Sequence, residues 1–100
     1  MSNGLDKFKL DAENAVLVVI DIQERLVPAM PQEVYLRLRD TVEMLVSGAE
    51  LLGVPVVTTE QYPKGIGHTV PELADACKNT LIEKVSFGCC GEPSFLAALK

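Results

Sequence analysis

Residues Ala15-Val16-Leu17-Val18-Val19-Ile20 form an unbroken apolar run that stops abruptly at Asp21. Continuous rather than alternating apolarity marks a strand covered on both faces, as in a parallel sheet between helical layers. Parallel strands need long crossovers, usually helices, so this run restricts the chain to an α/β architecture. Asp21 falls where the strand ends. Open α/β sheets collect ligands outside the carboxyl ends of their strands, so Asp21 is placed for chemistry. The competing role is a turn or helix cap.

The residues that follow supply the crossover. Gln23 to Met30 is a turn region interrupted by Pro28, and Pro31 precedes a change of period. From Gln32, Val34, Leu38, Val42, Leu45, Ala49 and Leu52 recur at three- and four-residue steps, which predicts an amphipathic helix. Its polar face carries Glu33, Arg37, Asp40, Glu43 and Glu50, and Gly53 stands where a helix-ending glycine belongs. Val54 to Thr59 reads as a second strand, completing a βαβ unit.

Glu60 to His68 reads as a polar loop at the same sheet edge as Asp21. Thr69-Val70-Pro71-Glu72 has the pattern of a capping box, predicting a short helix over Pro71 to Lys78. Thr80 to Lys84 is a short third strand ending on a lysine, as the first ends on an aspartate. Gly88 to Gly91 is a turn, and a last helix begins at Glu92 or Pro93, with Phe95, Leu96 and Leu99 as apolar contacts. Residues 1–13 are a polar lead-in and residues 14–100 one domain. Three parallel strands with two crossovers make half a sheet and leave apolar surface uncovered. The expectation is a partner over that surface, or a chain that is the first half of a larger domain.

Composition narrows the function classes. The net charge of −5 and the absence of a basic run argue against nucleic acid or an anionic membrane as partner. No apolar run approaches the length of a membrane span, and no signal-peptide core opens the chain. Cys77, Cys89 and Cys90 are odd in number, and two are adjacent, which is not a secreted disulfide framework. A reducing cytoplasm is the expected setting.

Asp21 and Lys84 are the leading pair, from different strands but one sheet edge. A lysine beside a carboxylate can tune a neighbouring nucleophile, and a structural ion pair is the plainer alternative. Gln23, Gln61 and Tyr62 lie at the same edge as candidate substrate-binding residues, with loop packing as the competing role. Cys89 and Cys90 are possible nucleophiles or a redox pair, but small cysteines in turns are mostly packing residues. His68 is the single histidine, with no GxSxG elbow to complete a serine triad, and reads as a solvent-facing loop residue. Lys64-Gly65-Ile66-Gly67 lacks the spacing of a phosphate loop. Without a CxxC pair or clustered histidines, no metal site and no cofactor are expected.

Three segments together resemble one family. Val18-Val19-Ile20-Asp21-Ile22-Gln23 is similar to the opening signature of the isochorismatase-like cysteine hydrolases. Thr59-Glu60-Gln61-Tyr62-Pro63-Lys64-Gly65 resembles the loop of small isochorismatase-domain proteins, and Lys84 followed by Ser86-Phe87 resembles the family's lysine segment. The resemblance implies a three-layer, doubly wound, Rossmann-like parallel sheet, present here as roughly its first half. It implies a homo-oligomer acting on a small-molecule amide or related C–N or ether bond. The implied catalytic set is Asp, Lys and Cys, of which Asp21 and Lys84 match the first two. The nucleophile is expected on a later strand-to-helix turn, beyond Lys100, and the role does not transfer to Cys89 or Cys90. Where nicotinamidases of the family carry metal-binding Asp and His, this chain has Glu60 and Tyr62. The 100-residue chain alone is therefore expected to be inactive. A non-catalytic interaction module and a thiol-based redox protein are the competing readings.

Overall fold

A computed structural model describes residues 11–78 and 80–99; most of the expected lead-in, residues 1–10, lies outside the described residues. The elements are β1 (Leu17–Ile20), α1 (Gln32–Leu52), β2 (Val56–Gln61), α2 (Pro63–Ile66), α3 (Pro71–Ala74), β3 (Leu81–Lys84) and α4 (Pro93–Ala98). Short 3-10 turns at Val27–Ala29 and Cys89–Gly91 complete the order.

The three strands form one parallel sheet in the order β1-β2-β3. Ile20 stands beside Thr59, and Gln61 beside Lys84, so the ends of all three strands fall along one edge. Side chains alternate across this sheet, as the period of a strand requires. Val19, with Leu17 against it, joins Tyr35, Val42 and Val46 of α1 and Leu73 of α3 in one core. Val18 faces the other way, toward Val57, Ile82 and Phe95 of α4. Helices thus cover both faces, giving the three-layer α/β arrangement expected from the unbroken apolar run.

The first crossover behaves as its sequence predicts at both ends. Pro31 precedes the first helical residue, and Gly53 closes α1 with φ of +71°. The Gly53 and Val54 amides donate back to Glu50 and Ala49, capping carbonyls that the helix leaves open. The buried face of α1 overlaps the expected one, with Val42 and Ala49 buried and Leu38 packed against the core, but it is turned toward Tyr35 and Val46. Tyr35, Val42, Val46 and Ala49 are buried, whereas Val34, Leu45 and Leu52 are exposed. Apolar residues occupy two neighbouring stripes of this helix, and the fit against β1 and α3 selects between them.

Some boundaries and one cap also differ. β2 runs on through Glu60 and Gln61, which were expected in the loop, because the β3 ladder continues that far. α3 ends at Ala74 rather than Lys78. Thr69-Val70-Pro71-Glu72 is not a capping box. Val70 is the N-cap, the Thr69 hydroxyl donates to Glu60, and Glu72 accepts from the Tyr35 hydroxyl. Tertiary partners therefore outcompete the local cap. In α4 Phe95 is buried as expected, but Leu96 and Leu99 are more than two-fifths exposed.

Candidate functional site

Asp21 is the first residue after β1, and Lys84 the last of β3. β2 lies between them, and both side chains converge over its C-terminal end. Lys84 Nζ donates to Asp21 Oδ2 at 2.9 Å. The lysine side chain is fully buried, while that of Asp21 is 19% exposed. The ammonium also donates to Gln61 Oε1 at 2.7 Å and to the carbonyls of Phe87 at 2.9 Å and Ser86 at 3.3 Å. A buried ammonium is tolerated only when paired and hydrogen-bonded, and here oxygen atoms surround it. The carboxylate's other oxygen, Oδ1, accepts from the Thr59 hydroxyl at 2.8 Å. Asp21 sits at φ +53°, a left-handed conformation that Asp tolerates better than most residues. This turn lifts the carboxylate off the strand end and leaves it the accessible member of the pair.

Gln23 has no exposed surface. Its Nε2 donates to the carbonyls of Gln61 at 2.9 Å and Gly67 at 2.6 Å, and its Oε1 accepts from the Gln61 amide at 2.6 Å. It ties the end of β2 to the following loop. Gln61 is similarly engaged: its Nε2 donates to the Val85 carbonyl at 3.0 Å while its Oε1 accepts from Lys84. Tyr62 is half-exposed, at φ +38°, and its amide donates to the Lys84 carbonyl at 2.8 Å. With Pro63, Lys64, Lys84 and Glu92 it lines a cavity of about 300 Å³.

Glu60 is a buried carboxylate that sequence reasoning placed in a loop. Its Oε1 lies 3.0 Å from His68 Nδ1, and its Oε2 accepts from the Thr69 amide and hydroxyl at 2.5 and 2.7 Å. Burial pushes its acidity toward the neutral form. The Thr69 amide, His68 and the Thr69 hydroxyl outweigh that and hold the carboxyl below its usual range. His68 is exposed, as expected of a loop histidine, but its hydrogen bond and charge attraction to Glu60 raise its pKa. Thr59 is a site-flanking residue that the sequence did not single out, and Glu60 was read only as the residue at a metal position of related nicotinamidases. A threonine and a carboxylate on the last residues of a central strand were the available signal.

No family model matches the chain. Isochorismatase domain-containing protein 2 of Danio rerio is 37% identical over 65 residues, 65% of this chain and 32% of that protein. The protein of the same description from Rattus norvegicus is 40% identical over 78 residues, 75% of this chain and 34% of that one. A solved structure described as MAR1 ribonuclease from Caenorhabditis elegans superposes with a TM-score of 0.74 and 33% identity, over 90% of this chain and 46% of that chain. The chain is isochorismatase-like. It spans between a fifth and about a third of the length of the curated relatives it matches.

Within this isochorismatase-like chain, the cysteines stand apart from the Asp21–Lys84 pair. Cys77 is buried, and burial pushes its thiol pKa up. Cys89 is half-buried against the Val57, Ile82 and Phe95 cluster, and Cys90 is exposed. The hydrogen bonds of the Lys84 ammonium go to oxygen atoms, none of them to either thiol. The residues at the nicotinamidase metal positions do not fit that role. Both oxygens of Glu60 are engaged by His68 and Thr69, and Tyr62 replaces an imidazole with a half-exposed phenol. Among the described residues, no group of three or more His, Cys, Asp and Glu side chains is arranged to hold a metal ion.

Proposed function

We propose that Asp21 and Lys84 are the acid–base part of an isochorismatase-like cysteine hydrolase, acting on a small-molecule amide or related C–N or ether bond. The nucleophilic cysteine belongs to a part of the domain that this chain does not contain. The observation that carries this reading is the 2.9 Å contact between Lys84 Nζ and the accessible carboxylate of Asp21. In an amide reaction, Asp21 accepts the thiol proton and the thiolate attacks the carbonyl carbon. The C–N bond breaks, and the amine leaves with the proton from Asp21. Water then cleaves the thioester and restores the thiol. Lys84 holds the carboxylate in place throughout and balances its charge.

The test uses the complete domain. Asp21→Asn and Lys84→Met each lower kcat by about 10³-fold, the scale of general acid–base catalysis, with the far-ultraviolet dichroism unchanged. A loss smaller than tenfold in both would remove the pair from the chemistry. The 100-residue chain alone is expected to show no turnover.

The same reading makes the protein cytoplasmic and homo-oligomeric, with a small molecule as its partner and no cofactor. Three free cysteines suit a reducing compartment, and among the described residues no helix is long and apolar enough to cross a membrane. RNA is not the proposed substrate, despite the description of the solved neighbour, because a net charge of −5 disfavours a polyanion.

A second reading, a non-catalytic interaction module, is favoured by the exposed apolar side chains Ile20, Val85 and Phe87 around the strand ends. It predicts a stable assembly whose size does not change on dilution and a complete domain indifferent to Asp21→Asn.

A further inference from the structure

We propose that Thr59 is a positioning residue for the Asp21–Lys84 pair, with Gln61 as its counterpart on the lysine side. This rests on the reading that the pair does the chemistry. It assigns a role to a threonine outside the expected set, and an internal role to a glutamine expected at the substrate.

Thr59 and Gln61 are two residues apart on β2, so they emerge from the same face of the central strand. The parallel register puts Thr59 beside Ile20, the residue before Asp21, and Gln61 beside Lys84. One face of one strand thus reaches both members of the pair. Thr59 is fully buried, and its hydroxyl donates to Asp21 Oδ1 at 2.8 Å. The Asp21 amide donates in turn to the Thr59 carbonyl at 3.1 Å, so residue 59 holds residue 21 by backbone and side chain together. Because Lys84 holds Oδ2, the carboxylate cannot rotate without breaking a charge-assisted hydrogen bond.

Gln61 fixes the other half. Its oxygen accepts from Lys84 Nζ and its nitrogen donates to the Val85 carbonyl. The flipped amide would set two donors against an ammonium and an oxygen against a carbonyl, so chemistry dictates the orientation. An ammonium has three protons, and Asp21, Gln61 and the Phe87 carbonyl accept them at 2.7 to 2.9 Å. With each short bond assigned, Lys84 has one orientation, and so has the carboxylate it meets.

The experiment follows the Lys84 ammonium of the 15N-labelled 100-residue chain by its proton–nitrogen signal and hydrogen-exchange rate. Thr59→Val keeps the side-chain shape and removes only the hydroxyl. It is expected to speed exchange about tenfold while the chain stays folded by thermal melting, as loss of a hydrogen bond to a charged group implies. Thr59→Ser restores the hydroxyl and stays within about twofold of the parent. Gln61→Met reads the same lock from the lysine side, and also speeds exchange about tenfold, should Thr59→Val fail to fold. Unchanged exchange in the folded variants, or Thr59→Ser behaving as Thr59→Val, overturns the assignment. Turnover of the complete domain is a separate readout. An Asp21→Asn variant that keeps its activity defeats the hydrolase reading but leaves the exchange result standing.

Discussion

Lys84 and Asp21, 63 positions apart in the chain, meet at 2.9 Å over the end of the strand that separates them. The contact is unequal: the ammonium is sealed in and the carboxylate is not. Removing the two partners therefore has different consequences. Lys84→Met leaves Asp21 uncompensated and strips a donor from Gln61 and two carbonyls. It is expected to cost about 3 kcal/mol in urea unfolding, the lower range for breaking a buried pair. Asp21→Asn keeps an acceptor oxygen for the lysine and is expected to cost about 1–2 kcal/mol. The reverse order would mean that Asp21, not Lys84, carries the structural weight.

The rotated face of α1 is testable with two neighbouring residues. Val46→Ala removes methyl groups from a position 1% exposed and is expected to cost about 2 kcal/mol. Leu45→Ala removes a larger side chain from a position 51% exposed and is expected to cost less than about 1 kcal/mol. Equal losses in a denaturant titration would show that the helix buries the stripe that includes Leu45.

Thr58 offers a gain. Its Oγ1 is buried with no nitrogen or oxygen partner, and the weakly hydrogen-bonding Cys77 thiol lies beside it. Thr58→Val is expected to raise stability by about 1 kcal/mol, because an unsatisfied buried hydroxyl is replaced by an apolar group of similar shape. A fall in melting temperature would reveal a hydrogen bond to the nearby Cys77 thiol.

The loop between β2 and α3 should be sensitive to pH. The Glu60 carboxyl is held below its ordinary 4.5, so its contribution is present above that value and fades as pH falls through the lowered one. The His68 imidazole is raised above 6.5, so its contribution is complete below that value and fades as pH rises through the raised one. Glu24 and Glu83 add to the field that favours the charged ring. Exchange protection of the Thr69 amide is therefore expected to be greatest between these limits. His68→Gln should remove the decline on the alkaline side and, because His68 helps hold the Glu60 carboxyl down, move the acid-side decline to higher pH.

The meeting of Asp21 and Lys84 was legible because both end apolar runs, and parallel strands bring such ends to one edge. The capping glycine of α1 was legible for an equally local reason. What escaped depends on partners distant in sequence. Thr69 looks like a cap until Glu60 lies beneath it, and Glu72 like its counterpart until Tyr35 reaches across. The face of α1 could not be read because Val34, Leu45 and Leu52 are as apolar as Tyr35 and Val46; only the opposing surface distinguishes them. Thr59 and Gln61 resemble ordinary strand-end polar residues until the register aligns them with the pair.

β1 and β2 are each followed by a non-glycine residue with positive φ, Asp21 and Tyr62. Glycine at Tyr62 would relieve the left-handed backbone, a gain of roughly 1 kcal/mol; at Asp21 the same relief is outweighed, because the buried Lys84 ammonium loses its counter-charge. The substitutions would then part company. At Tyr62 the exchange takes away a half-exposed ring; at Asp21 it takes away the carboxylate that pairs with Lys84. The left-handed turn at residue 21 thus carries a charge pair, and its backbone cost is the cost of aiming a carboxylate over the strand ends.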